Sequence, residues 1–143
     1  MIEIKSFKSS DFSKLVDVWQ QAVEATHFFL TKEDIIVYKE VVEGYLPTLE
    51  IYIIEINQNT AGFIGLAAAH VEMLFIHPQH HGIGLGKKLL NYAVQFKGKL
   101  SVDVNEQNPT AYRFYIKYGF LETGRSEIDG AGKPYPLIHM MQQ

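Results

Sequence analysis

The apolar positions of this chain change period along its length, from alternate residues to every third or fourth, and each change marks a new element. Ile2, Ile4 and Phe7, with polar residues mostly between them, predict a half-buried first strand. Phe12, Leu15, Val16, Val18, Trp19, Ala22 and Val23 recur at helical spacing, with Ser10 read as N-cap and Asp11 in the first turn; this helix is expected to end near Thr26 and His27. Thr31, followed by Glu33 and Asp34, is a second capping signal. It opens a helix over Ile35, Ile36, Tyr38, Val41, Val42 and Tyr45 that Pro47 stops.

Residues 51–56 are dense in β-branched side chains, and 57–60 read as a hairpin turn into a second strand over 62–66. A third strand over 71–76 ends at His77 and Pro78, although Ala67, Ala68 and Ala69 before it include no strong turn residue. Residues 87–96 have helical periodicity closed by Gly98, and 100–104 alternate as a strand. Asn108 and Pro109 open a helix bearing Ala111, Phe114, Tyr115 and Tyr118, Gly119 ends it, and strand resumes at Phe120. Residues 130–134 separate the last two short strands as a long hairpin loop. The order β-α-α-β-β-β-α-β-α-β-β predicts an α/β (α+β) fold built on one mixed sheet with helices.

A length of 143 residues, 47% apolar and 20% charged, suits one globular domain over 1–143. Thirteen Lys plus Arg against sixteen Asp plus Glu leave a net charge of -3, without the basic excess that phosphate-backbone binding draws on, so nucleic acid is not the expected partner. No apolar run is long enough to span a membrane, and the first five residues alternate charged and apolar types, unlike a signal peptide. A soluble, cytoplasmic protein with no membrane partner is expected. The absence of cysteine excludes disulfides, thiolate zinc sites and a cysteine nucleophile.

The chemistry concentrates in His81-Gly82-Ile83-Gly84-Leu85-Gly86-Lys87-Lys88, between a strand and a helix start. Alternate glycines let backbone approach a ligand, and the first amides of a helix are unpaired donors at the positive end of its dipole. Such a loop suits phosphate. It is not a Walker A loop, because His81 stands where glycine is required and Lys88 where a hydroxyl is required. Nor is it a dinucleotide fingerprint, since Lys87 replaces the third small residue.

The loop does resemble the Gln/Arg-x-x-Gly-x-Gly/Ala motif of the GNAT superfamily of acetyl-CoA-dependent N-acetyltransferases, with Gly84 and Gly86 as its glycines and His81 replacing Gln or Arg. A second block, from Asn105 to Phe120, is similar to the family pattern Asn-x-x-Ala-x-x-x-Tyr-x-x-x-Gly-Phe. Ala25-Thr26-His27 and the segment from Gly132 to Pro136 resemble small bacterial members, some of them peptidyl-lysine acetyltransferases. The resemblance implies a mostly antiparallel sheet of about seven strands with about four helices on both faces. It also implies acetyl-CoA as cosubstrate, lying in a splay between strands 71–76 and 101–104. Leu74, Phe75 and Ile76 would give main-chain contacts to its pantetheine arm, His81 and the amides of Gly82, Ile83, Gly84, Leu85, Gly86 and Lys87 would hold the pyrophosphate, and Asn108 would touch the coenzyme arm.

By family position Tyr115 is the general acid, a phenol with reference pKa about 10. The base that frees a lysine-type amine, of pKa about 10.4, is sought near the start of strand 71–76. His70, with an imidazole pKa of about 6.5, is the first choice, and Glu72, two residues on and expected on the same strand face, is the second. His27, Phe28, Phe29, Tyr45, Tyr135 and His139 are candidates for the acceptor side, His27, Phe28 and Tyr135 foremost, and equally for core packing. Glu33, Asp34, Glu40 and Glu43 either attract a cationic acceptor or form a solvated helix face. His77, His80 and His81 stand at spacings seen in metal ligands, but lack a cysteine or distant partner, and no metal is expected. The two functional classes are an N-acetyltransferase acting by direct transfer onto a protein lysine or small-molecule amine, and a noncatalytic acetyl-CoA-binding sensor or interaction module; either would be a monomer or homodimer.

Overall fold

The elements of the computed structural model, which describes residues 1–143, follow the predicted order. They are β1 (Ile2–Ser6), α1 (Ser13–Thr26), α2 (Lys32–Tyr45), β2 (Glu50–Ile56), β3 (Asn59–Ala67), β4 (His70–Ile76), α3 (Leu85–Lys97), β5 (Ser101–Asn105), α4 (Pro109–Tyr118), β6 (Phe120–Ser126) and β7 (Leu137–Gln142). Short 3-10 turns at Leu46–Thr48 and Pro78–His80 follow α2 and β4.

Thr31 forms the predicted capping box with Asp34, each side chain accepting the other residue's backbone N–H. Ser10 does not cap α1. The polar residues there form a turn of their own: Ser9 Oγ accepts from the Asp11 amide at 2.9 Å and Asp11 Oδ1 from the Ser13 amide at 3.0 Å, so the helix starts only at Ser13. Asn57 and Gln58 adopt positive φ at the β2–β3 turn, as a tight hairpin of right-handed twist requires. Ala68, at φ 52°, makes the β3–β4 turn in a conformation that carries no alanine signature, which is why the three alanines concealed it.

The strands form one seven-stranded sheet in the order β1-β2-β3-β4-β5-β7-β6, antiparallel throughout except for parallel β4 and β5. Alternation sends Ile54, Ile64, Val71, Val102, Val104 and Met140 to one face, where they pack with Leu85, Leu89 and Leu90 of α3 and Tyr115 of α4. On the other face Ile51, Ile53, Phe63 and Met73 pack with Leu15, Val16 and Trp19 of α1 and Val42 of α2.

Val71 and Met73 belong to opposite cores although two residues apart. The cause is a register shift: Leu66 faces Val71 and the next β3 residue inward, Gly65, faces Met73, leaving Glu72 as an extra, bulged residue in β4. Bulges bend the strand that carries them, and the parallel pairing of β4 with β5 stops here, at His70–Ser101 and Val71–Val102.

Candidate active site

Beyond Val71 the two central strands diverge around an open cleft of about 1120 Å³. Leu74, Ile76, Val102 and Val104 line it from the strands, Gly82, Gly84 and Lys87 from the loop and α3, and Ala111, Phe114 and Tyr115 from α4. The His77 amide donates to Ala61 on β3 at 2.8 Å, so by strand alternation Phe75 also turns its peptide groups to β3. Leu74 and Ile76 present theirs to the cleft. The expectation of a main-chain contact from Phe75 is therefore corrected; Phe75 lines the cleft but its ring packs 6.0 Å from Phe63 on the α1 side.

Gly82 and Gly84 adopt φ of 81° and 86°, a region in which a side chain is strained. Gly84 is the N-cap of α3 and offers no side chain to the first amides of that helix, which remain available as donors. Gly86 meets a different demand: a Cβ there would lie 3.2 Å from the Phe114 ring, so glycine lets α3 start against α4. His81 places Nε2 2.8 Å from the Ile76 carbonyl, pinning the loop to the end of β4. Ile83 is 53% exposed and does not line the cleft. His77 Nδ1 accepts from the Gln79 amide, and the His77 and His80 rings lie 6.2 Å apart outside the loop. An unpaired strand edge beside amides of a helix start, with Lys87 close by, fits an acyl-CoA: the edge matches a peptide-like arm and the amides match phosphate.

Tyr115 is buried, and burial pushes its phenol up, so the hydroxyl is protonated at neutral pH. Burial alone, with no hydrogen-bonding neighbour, accounts for that shift, and Tyr115 lines the cleft beside Phe114. Across from it His27 sits in a defined protonation state. The Thr26 hydroxyl donates to Ala22 O at 2.7 Å, so its oxygen receives the His27 Nδ1 proton, also at 2.7 Å. Asn108 Oδ1 accepts from the Ala111 amide, which turns its NH₂ towards the unprotonated His27 Nε2, 3.5 Å away. Burial lowers the His27 pKa to about 4, keeping the ring neutral.

Glu72 lines the cleft at the bulge, and burial, then the Glu72 charge, raise the pKa of neighbouring Tyr45. His70 does not line the cleft. It stands where β4 and β5 are still paired, with Nδ1 2.7 Å from Ser101 Oγ and Nε2 3.5 Å from Asp103. His70 and Glu72 both lie on the side away from the α3 core, His70 against β5 and Glu72, at the bulge, beside Tyr45 at the end of α2. Phe28 is 82% exposed, outside the cleft. Tyr135 reaches the site only indirectly: its hydroxyl donates to Asp34, and its ring packs edge-on to Phe29, 5.4 Å away, which packs on His27 at 5.5 Å. Thr26 and Asp103 line the cleft and were not singled out from the sequence; the alternation of 101–104 beside a splayed strand was the signal available for Asp103.

The comparisons agree with this geometry. The family model described as "Acetyltransferase (GNAT) domain" matches residues 16–140. The chain is 39% identical over 142 residues to the peptidyl-lysine N-acetyltransferase YjaB of Salmonella typhimurium, covering 99% of this chain and 98% of that protein. It is 37% identical over 141 residues to the peptidyl-lysine N-acetyltransferase YjaB of Escherichia coli, covering 98% and 96%. The solution structure of apo-form YjaB from Escherichia coli superposes with a TM-score of 0.90, covering 99% of this chain and 97% of that one. With the splayed parallel pair, the glycine loop and these full-length likenesses together, the chain belongs to the GNAT family of acetyl-CoA-dependent N-acetyltransferases.

Proposed function

We propose that this enzyme transfers an acetyl group directly to the side-chain amine of a lysine in a polypeptide. The observation that carries the reading is Tyr115, buried, protonated and without a hydrogen-bonding neighbour, on the wall of a cleft that Glu72 also lines. The bound coenzyme supplies the acetyl thioester. Leu74 and the Ile76 amide offer it backbone groups, and the amides around Gly84–Lys87 offer donors to its phosphates. Tyr115 Oη holds the proton for the leaving sulfur, and the Glu72 carboxylate takes the proton that an acceptor ammonium loses before it reacts. Glu72 is preferred to His70 for that role because it faces the cleft, whereas both His70 ring nitrogens face groups on β5. His27 Nε2, unprotonated, accepts from the Asn108 side-chain amide and so holds that residue's place on the cleft wall. With no cysteine in the chain, no thiol nucleophile is available for an acyl-enzyme, which favours direct transfer. A lysine in a polypeptide is preferred as acceptor because both YjaB relatives carry that name.

The test is coenzyme A release against a panel of lysine peptides, polyamines and amino acids. Peptide turnover should fall about a hundredfold or more in Tyr115→Phe, the scale of a lost general acid, while coenzyme A still raises Tm. Glu72→Gln should lose turnover more than His70→Ala does; the reverse order returns the base to His70. Coenzyme protection without turnover on any amine would instead favour the sensor.

A further inference from the structure

The two faces of the sheet are not covered equally. α1 and α2 pack over β2, β3 and β4, but on that same side β5, β7 and β6 carry no helix. Val102 and Val104 point into the opposite core, so Ser101, Asp103 and Asn105 point out onto the bare half-face. His139 faces Asp103 across β7, and Ser126 follows on β6.

These side chains form one row. Asp103 Oδ1 lies 2.6 Å from His139 Nδ1, and Asp103 Oδ2 lies 3.5 Å from His70 Nε2. The outer nitrogens are also occupied: His139 Nε2 lies 2.6 Å from Ser126 Oγ, and His70 Nδ1 2.7 Å from Ser101 Oγ. One assignment of protons satisfies the row without charging either ring. Both serine hydroxyls donate to the outer nitrogens, and the inner N–H groups face an ionised Asp103. The row then bears one net negative charge, held in place by its neighbours. No lysine or arginine pairs with Asp103. It lines the same cleft as Glu72, from the opposite strand of the splay.

A carboxylate accepts about four hydrogen bonds, and the imidazoles engage only one site on each oxygen. The rest of its capacity is open to an incoming group, since the side chain is partly exposed and the residue lines the cleft. A fixed anion that held the reacting nitrogen as an ammonium would oppose the deprotonation that transfer requires, so its fitting partner is a different cation on the same acceptor. We propose that Asp103, positioned by His139 and His70, is a specificity anchor for a second positive charge on the acceptor, next to the amine that is acetylated. The shared chemistry is that of a dication: a lysine with a basic neighbour in a peptide, or a polyamine. The proposal rests on the transferase reading.

The experiment compares three acceptors on the intact enzyme at low salt: a peptide whose lysine is flanked by arginine, the same peptide flanked by alanine, and spermidine. The wild type should prefer the arginine-flanked peptide over the alanine-flanked one by roughly fivefold to tenfold in kcat/KM, mostly through KM, the range of a partly exposed charge pair. Salt at 0.5 M should shrink the preference, since ions screen such pairs. Asp103→Asn should bring the ratio near one while coenzyme A still raises Tm. His139→Ala should reduce the ratio, and His139→Asn, which keeps a donor near the Nδ1 position, should restore part of it. Spermidine losing kcat/KM in Asp103→Asn alongside the arginine peptide means the anchor reads charge from either source; loss for the peptide alone assigns it to polypeptide acceptors. No preference in the wild type, or an Asp103→Asn loss equal for all acceptors and confined to kcat, overturns the proposal. A nonreactive peptide with glutamine for the acceptor lysine, flanked by arginine, separates the two readings. If it binds the coenzyme-loaded wild type but not Asp103→Asn while no amine is acetylated, the anchor stands and the transferase reading falls; equal binding to both overturns the anchor.

Discussion

His27 shows how a single side chain can be set by its neighbours rather than by its own chemistry. Its unfolded-state pKa of about 6.5 drops to about 4 in the fold because the ring is buried. A depressed folded pKa stabilises the fold fully above the unfolded value, and that contribution is lost as pH falls from about 6.5 through the folded value. The loss amounts to about 3 kcal/mol at most. Urea unfolding at pH 7 and pH 5 should therefore show a decline that His27→Gln lacks. The bond to Thr26 further predicts the Nδ1–H tautomer at neutral pH, readable from the ring ¹⁵N shifts. Of the two histidines, His27 and His70, sought for the chemistry, the spacing could say which strand or helix end each occupied but not which faced the cleft.

At the scale of elements, the glycine loop and the β4 bulge do most to shape the cleft. Gly84 was legible because Gly-x-Gly before a helix is a local signal, and its positive φ accounts for it. Gly84→Ala should cost about 1 kcal/mol through that strain, seen as a Tm lower by a few degrees, and should weaken the protection given by coenzyme A. The bulge was not legible, because Glu72 sits in an otherwise regular strand pattern and only pairing with β3 shows that it is supernumerary. Val71 and Met73 already face opposite cores, so deleting Glu72 leaves each in its own core and regularises the pairing. The deletion variant should unfold cooperatively but lose coenzyme A protection as the β4–β5 gap narrows, measurable by thermal melts with and without ligand. Ser10 and Asp11 illustrate the opposite error: both are cap-forming residues, and which of them bonds a helix amide depends on a turn that composition does not encode.

Across the whole molecule, the long β6–β7 loop is fastened to α2. Tyr135 donates to Asp34 and Tyr38 to Asp129, while Lys133 Nζ lies 3.2 Å from Asp34. The Tyr135 hydroxyl, then the Thr31 amide and Lys133, hold the Asp34 carboxyl down to about 2. By the same linkage, this latch contributes stability above the unfolded carboxylate value of about 3.9 and loses it as pH falls towards the folded value. Tyr38→Phe combined with Tyr135→Phe should release the loop, raising its amide exchange and the KM for the acceptor, with coenzyme A binding retained. Tyr135 was legible as an acceptor-side aromatic. Its partner Asp34, a hundred residues earlier, read only as a helix cap or one charge on an acidic face, because cross-chain pairs leave no local period.

The sequence by itself determined the order of the elements and the glycine loop, since periodicity, capping and glycine spacing are local and each residue signals its own neighbourhood, and its two motifs carried the resemblance to the family. Only the tertiary structure decided which of those residues meet: that Glu72 and not His70 faces the cleft, that Phe75 turns its peptide to β3, and that Asp103 lies between two histidines from other strands. Register and strand divergence settle these, and both arise from pairing between segments far apart in the chain.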